Sequence, residues 1–146
     1  MKRPVFDTNV FHQFKQDMTK GDMAEMALSV VVLYELAATT NEQADRQRYE
    51  AWRKGFAAAG LLLVPTANDW WEAAKLVARL RFGDKAAGHG KTPPLLDAQR
   101  LQNDVLIART AALNGCFVVT ANVADFLRIK PYLNRLEVVR AADYFN

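Results

Sequence analysis

Five short apolar runs punctuate this chain, at Pro4–Phe6, Met26–Ser29, Leu61–Val64, Phe117–Thr120 and Leu136–Val139. Stretches of helical patterning separate them. Runs this short, bounded by turn residues and charges, read as buried strands rather than helices. A strand followed by a helix before the next strand has no tight hairpin available, so it returns in parallel. The expected fold class is therefore α/β, with three α/β/α layers around a central, mostly parallel sheet. At 146 residues the chain reads as one domain, 1–146, long enough to bury a sizeable core.

Local signals place the helices. A helical turn starts at Thr8, and Ser29 is positioned to cap a helix carrying Val32, Leu33, Leu36 and Ala37 on one face. Asn41 is positioned to cap a long charged helix through Ala58, which Gly60 stops. Thr66 opens another that runs to about Phe82. From Gly83 to Pro94 three glycines and two prolines make the one long irregular stretch, and such loops are often functional or mobile. Asp97 or Asn103 then begins a helix ending at Asn114–Gly115, and Asn122 or Ala124 begins a short one.

Composition removes several classes. A hydrophobic fraction of 51% excludes a disordered chain. The apolar runs are too short to span a membrane, and Asp7 and Asn9 interrupt any N-terminal leader pattern. The single cysteine, Cys116, permits no internal disulfide, which suits a reducing cytoplasm. Because it opens the run Phe117-Val118-Val119, it reads as a buried thiol rather than a nucleophile.

Four acids lie in or beside these apolar segments: Asp7, Glu35, Asp104 and Asp125. A carboxylate next to a core must find a partner, take up a proton or meet a cation. None of the four has a basic residue adjacent in sequence, and oxygen ligands suit a hard divalent metal. In a parallel sheet, ligands bind beyond the carboxyl ends of the strands at a topological switch point. Asp7 follows the first strand, Asp125 lies just past Thr120, and Glu35 sits about one turn beyond the second strand. Asp104 comes from a helix crossing the same rim. The expectation is that the carboxyl groups meet closely enough to share a metal. With those acids engaged, the formal net charge of +3 understates a basic exterior suited to a polyanion.

The segments Phe6-Asp7-Thr8-Asn9-Val10, Ser29 through Leu36, Asp104-Val105-Leu106-Ile107-Ala108, and Val119 through Phe126 resemble the PIN domain, in particular the VapC-like ribonuclease toxins of toxin–antitoxin pairs. The resemblance implies a PIN-like α/β/α fold and Mg²⁺- or Mn²⁺-dependent endoribonuclease activity. Asp7, Glu35, Asp104 and Asp125 become the catalytic and metal-binding residues, with an RNA substrate, a cognate antitoxin and a homodimer as partners. Asp7 and Asp104 are the first choice for direct ligands; Glu35 and Asp125 bind a second ion or orient water. Thr8, Asn9, Thr120 and Asn122 are candidates to orient those carboxylates or to hold substrate. For Thr8 and Asn9 a capped turn accounts for the residues equally well, and Asn122 also suits a helix cap. The long Gly83–Pro94 stretch departs from the shorter loop frequent in these toxins, so substrate preference does not transfer.

Other residues read more plainly. His12 and His89 lack ligand spacing with the acids, and Asp97 suits a helix cap better than a fifth pocket acid. Lys75, Arg79 and Arg81 end a helix where cations favour the dipole, with phosphate binding as the alternative. Of the adjacent Trp70 and Trp71, one is expected in the core and the other at an interface or against a helix neighbour. Two other functions compete. A phosphoacceptor regulatory module needs an Asp at the third strand, where Leu61–Val64 runs into Pro65. An inactive PIN domain binding only RNA or protein would not need the full quartet.

Overall fold

The computed structural model describes residues 2–83 and 95–146, the side chains of 95–97 excepted. Strands β1 (Pro4–Phe6), β2 (Leu28–Ser29), β3 (Leu62–Leu63), β4 (Phe117–Thr120) and β5 (Val138–Arg140) pair only in parallel. β4 lies between β1 and β5, and β2 pairs with β3. A parallel bridge between Val5 and Ala27, with the Ala27 amide donating to the Pro4 carbonyl at 3.0 Å, joins the two sets. The spatial order is thus 3-2-1-4-5. From β1 the chain moves outward on one side to β2 and β3, while β4 and β5 lie on the other. The strand order reverses between β1 and β4.

Successive strand residues face opposite sides of a sheet. Val5 and Phe6, and likewise Val118 and Val119, are all buried, so both faces of the central strands are covered. On one face Phe6 meets Phe11, Tyr144 and Phe145, with ring centroids 6.2, 5.4 and 5.9 Å away. Burying a side chain of this size contributes about 1.5–3 kcal/mol. The mixed α/β architecture with a central parallel sheet is the expected one.

The helices are α1 (Thr8–Gln13), α2 (Lys20–Glu25), α3 (Val30–Ala38), α4 (Gln43–Ala58), α5 (Ala67–Phe82), α6 (Leu95–Leu113), α7 (Val123–Ile129) and α8 (Ala141–Tyr144). The Ser29 hydroxyl caps α3 by accepting from the Val31 and Val32 amides, and Thr66 caps α5 in a reciprocal box with Asp69. At the far end of α5, Gly83 adopts φ 67° while its amide donates to the Arg79 carbonyl. α6 packs against α5, α7 and β4 and carries four consecutive buried residues, Val105 to Ala108.

Several boundaries differ from the sequence reading. α4 begins at Gln43 and takes no side-chain cap, because the Thr40 hydroxyl turns to Asp45 instead of Asn41 closing the helix end. α6 is already formed at Leu95, ahead of both expected starts. β5 pairs over Val138–Arg140 rather than from Leu136, whose amide donates to Leu133 in the preceding turn. Trp70 and Trp71 are both exposed, at 47% and 65%. The inward row of α5 runs instead through Asp69, Ala73, Leu76, Val77 and Leu80, and both indoles fall off that row. His89, most of the Gly83–Pro94 stretch and the side chain of Asp97 lie outside the described residues.

Candidate active site

β1 ends at Phe6, and Asp7 turns the chain into α1. Its amide still follows the sheet, donating to the Val119 carbonyl of β4 at 2.9 Å. Asp7 therefore sits where β1 and β4 part, at the reversal of strand order, and is only 7% exposed. Both of its carboxylate oxygens are held. Oδ1 accepts from the Thr8 amide at 2.8 Å, while Oδ2 accepts from the Thr120 hydroxyl at 2.9 Å and the Asn9 amide at 3.2 Å. Thr120 ends β4, fully buried, and its Oγ1 also accepts from the Asn122 amide at 3.0 Å. The Asn9 side chain spans the gap, its Oδ1 accepting from the Ala121 amide at 3.1 Å. Asn9 and Thr120 thus stitch α1 to the loop after β4 around one carboxylate.

Glu35 lies one and a half turns into α3, where its Oε1 accepts from the Thr8 hydroxyl at 2.8 Å. Asp125, in the first turn of α7, accepts from the Asn122 side-chain amide at 2.6 Å. Asn122 occupies the cap position of α7 but makes no cap bond to its backbone. Its side chain is committed to Asp125. Each of the four polar candidates therefore bonds a quartet acid directly.

Electrostatics bring in the fourth acid. Burial, then the charges of Asp7, Asp125 and Glu35, push the Asp104 carboxyl up to about 8, with Arg100 acting the other way. Asp7 is likewise raised, first by burial and further by Glu35 and Asp125, against the hydrogen bonds from Thr120 and Thr8. Four acids from the ends or flanks of β1, α3, α6 and α7 thus feel one another in one partly dry region. Among the described residues, however, no three His, Cys, Asp or Glu side chains are gathered closely enough to hold a metal ion together. The acids share a field without sharing a ligation point. Mutual repulsion and the separate anchors of Asp7, Glu35 and Asp125 account for the spread.

The donor chemistry fits a hard divalent cation. Every ionisable donor is a carboxylate, supported by hydroxyl and amide groups, and the raised Asp104 and Asp7 report a charge cost that a cation would cancel. One participant escaped the sequence reading. Arg100 precedes Asp104 by four residues, one helical turn, so a cation does attend the quartet although none is adjacent in sequence. His12 stands apart, lining a separate pocket with Lys15, Arg48 and Trp52. Cys116 is buried, as expected.

The sequence matches no protein-family model and no curated protein. Solved structures do match. A chain of DNA-bound VapBC from Salmonella typhimurium superposes with a TM-score of 0.53 at 20% identity, covering 97% of this chain and 99% of that one. The protein is VapC-like in fold. A chain of FitAB bound to an IR36 DNA fragment gives a TM-score of 0.52 at 18% identity, with 94% of each chain covered. The VapC-like architecture is the one that the resemblance to PIN proteins implies. Among the described residues, no helix is long and apolar enough to cross a membrane.

Proposed function

We propose that this protein is a metal-dependent endoribonuclease, the toxin of a toxin–antitoxin pair. One observation carries the reading: at the reversal of strand order, burial and then the charges of neighbouring acids from separate elements raise the Asp7 carboxyl and push that of Asp104 to about 8. A structural core gains nothing from collecting uncompensated carboxylates, whereas a divalent site requires them. Asp7 and Asp104 would hold Mg²⁺ or Mn²⁺, with Glu35 and Asp125 beside them. When bound, such an ion supplies charge neutralisation at a phosphate and a more acidic water.

The chain's own groups do the positioning. Thr120 and the Thr8 amide fix both oxygens of Asp7, so the carboxylate keeps its orientation as charge changes nearby. Thr8 fixes Glu35, and Asn122 fixes Asp125, leaving the second oxygen of each for water or substrate. The charge of Arg100 offsets part of the repulsion on Asp104. Cutting RNA inside a cell demands restraint, and both structural neighbours come from two-component assemblies, which supports an antitoxin partner. A basic side chain from that partner would satisfy the same carboxylates that a metal does. Exposed Trp70, Trp71 and Phe82 offer an apolar surface for the proposed homodimer.

The test is cleavage of labelled RNA by the purified protein with Mg²⁺, with Mn²⁺ and with EDTA. Cleavage that needs the metal and is lost in Asp7→Asn and Asp104→Asn supports the reading. Equal cleavage by folded variants and wild type would remove these residues from the site.

A further inference from the structure

The acid cluster is not the only charged feature along α6. Between α5 and α6 opens a cleft of about 570 Å³, lined by Lys75 and Arg79 of α5, Arg109 of α6, and Tyr132 and Asn134 from the segment after α7. Glu72 is the one acid among its lining residues. With Asp69 behind Arg109 counted beside Glu72, three cations still outnumber the carboxylates, the opposite of the balance at the quartet.

The cations are arranged for an anion. Arg109 Nε donates to Asp69 Oδ1 at 2.8 Å, in a pair largely withdrawn from solvent. That bond fixes the guanidinium plane before any ligand arrives. Arg79 stacks over the Tyr132 ring, 4.8 Å from its centroid, which fixes a second plane. A planar fork matches phosphate oxygens two at a time, and an oriented one loses little freedom on binding. Lys75 pairs with Glu72 at 3.0 Å, but both side chains are substantially exposed. Such pairs contribute little and exchange readily. The Asn134 amide adds a neutral donor to the same wall.

Position ties the cleft to the quartet. Val105, which lines it, follows Asp104 directly, and Arg109 lies five residues beyond Asp104 along α6, about 7.5 Å of helix rise. Tyr132 and Asn134 come just after α7, the helix that carries Asp125. α6 therefore contributes both to the quartet and to the cleft, and the segment that closes the cleft follows the helix that carries Asp125.

We infer that this cleft holds the phosphodiester backbone of the RNA next to the bond that is cut, an inference that rests on the ribonuclease reading above. The carboxylates handle the scissile phosphate. The cations of α5 and α6 hold a neighbouring one, setting the register of the strand without reading its bases.

The test is binding of a fluorescein-labelled single-stranded oligoribonucleotide in EDTA, followed by anisotropy across a KCl series. Wild type is expected to bind with a steep salt dependence. Lys75→Glu, and the double variant Lys75→Ala/Arg79→Ala, should bind roughly ten-fold more weakly, with the log–log salt slope reduced by about 0.7 for each phosphate no longer neutralised. Arg79→Lys keeps the charge and should keep most of the slope, which separates removal of charge from a disturbed Tyr132 turn. Asp104→Asn should bind at least as well as wild type. Urea midpoints near wild type establish that the variants are folded. If Lys75→Glu and the double variant bind with wild-type affinity and slope while wild type cleaves RNA, the cleft inference fails and the nuclease reading stands. If wild type neither binds nor cleaves RNA with Mg²⁺ present, the nuclease reading fails and takes the inference with it.

Discussion

Replacing Asp104 with Asn should make the metal-free protein more stable, by an amount that grows with pH. In the folded chain burial and the charges of Asp7, Asp125 and Glu35 raise this carboxyl from an ordinary value of 3.8 to about 8. The folded value exceeds the unfolded one, so below about pH 4 both states hold the proton and nothing is lost. Between about pH 4 and 8 only the native state keeps it, and wild-type stability falls by up to ~1.4 kcal/mol per pH unit. Over three units, to pH 7, the ceiling is about 4 kcal/mol. Asp104 retains some access to water, so roughly half of that is a fair expectation. The Asn variant keeps the shape and never ionises. Urea unfolding of both proteins in EDTA, at intervals from pH 5 to about pH 8, reads the difference directly. The gap should widen steadily with pH, and Mg²⁺ should close it by stabilising wild type more. Parallel profiles, or a variant less stable than wild type at the alkaline end, would refute the claim that ionising Asp104 is costly in the folded protein.

Individual hydrogen bonds and charges set three further outcomes. Thr120→Val preserves shape but removes the hydroxyl that holds Asp7 Oδ2; metal affinity by calorimetry should fall about 10-fold or more while the fold persists, and unchanged affinity would detach Thr120 from the site. Asp69→Ala breaks the Arg109 pair and the reciprocal cap with Thr66, so urea unfolding should report a loss of about 2–4 kcal/mol, against near-neutral if the pair is ornamental. Induced expression of the chain without a partner should arrest growth, and Asp7→Asn should relieve the arrest at equal protein level; harmless wild-type expression would contradict the toxin role.

How far the sequence reached depended on where its signals were local. β1 and β4 were legible because their apolar runs end at Asp7 and Thr120 with a turn immediately behind. Ser29 and Thr66 announced their helices because a capping hydroxyl acts within three residues. α2 was missed for the opposite reason: it fully buries no residue and has no apolar stripe, and its start is marked only by the capping box of Thr19 with Asp22. The extent of β5 is set by Val118–Thr120 across the sheet, which no local pattern encodes. At the candidate site, the four acids stood out by their apolar neighbours and Thr8, Asn9, Thr120 and Asn122 by their place beside them, but which carboxylate Asn9 and Thr120 hold depends on β1 and β4 lying side by side. The cleft joins α5, α6 and the segment after α7, so the sequence showed Lys75 and Arg79 as cations at a helix end, with phosphate binding as the lesser reading, and gave no sign that Arg109 joins them.

The central claim is that the quartet is a metal site, and anomalous diffraction from crystals grown with Mn²⁺ tests it most directly. The account predicts an anomalous peak beside both Asp7 and Asp104, with carboxylate oxygens drawn in to about 2.1 Å as expected for octahedral oxygen ligation. The carboxyls that now share only a field would then share a ligand. Well-ordered crystals with saturating Mn²⁺ and no peak near Asp7 or Asp104, or a peak held by other residues alone, would contradict it.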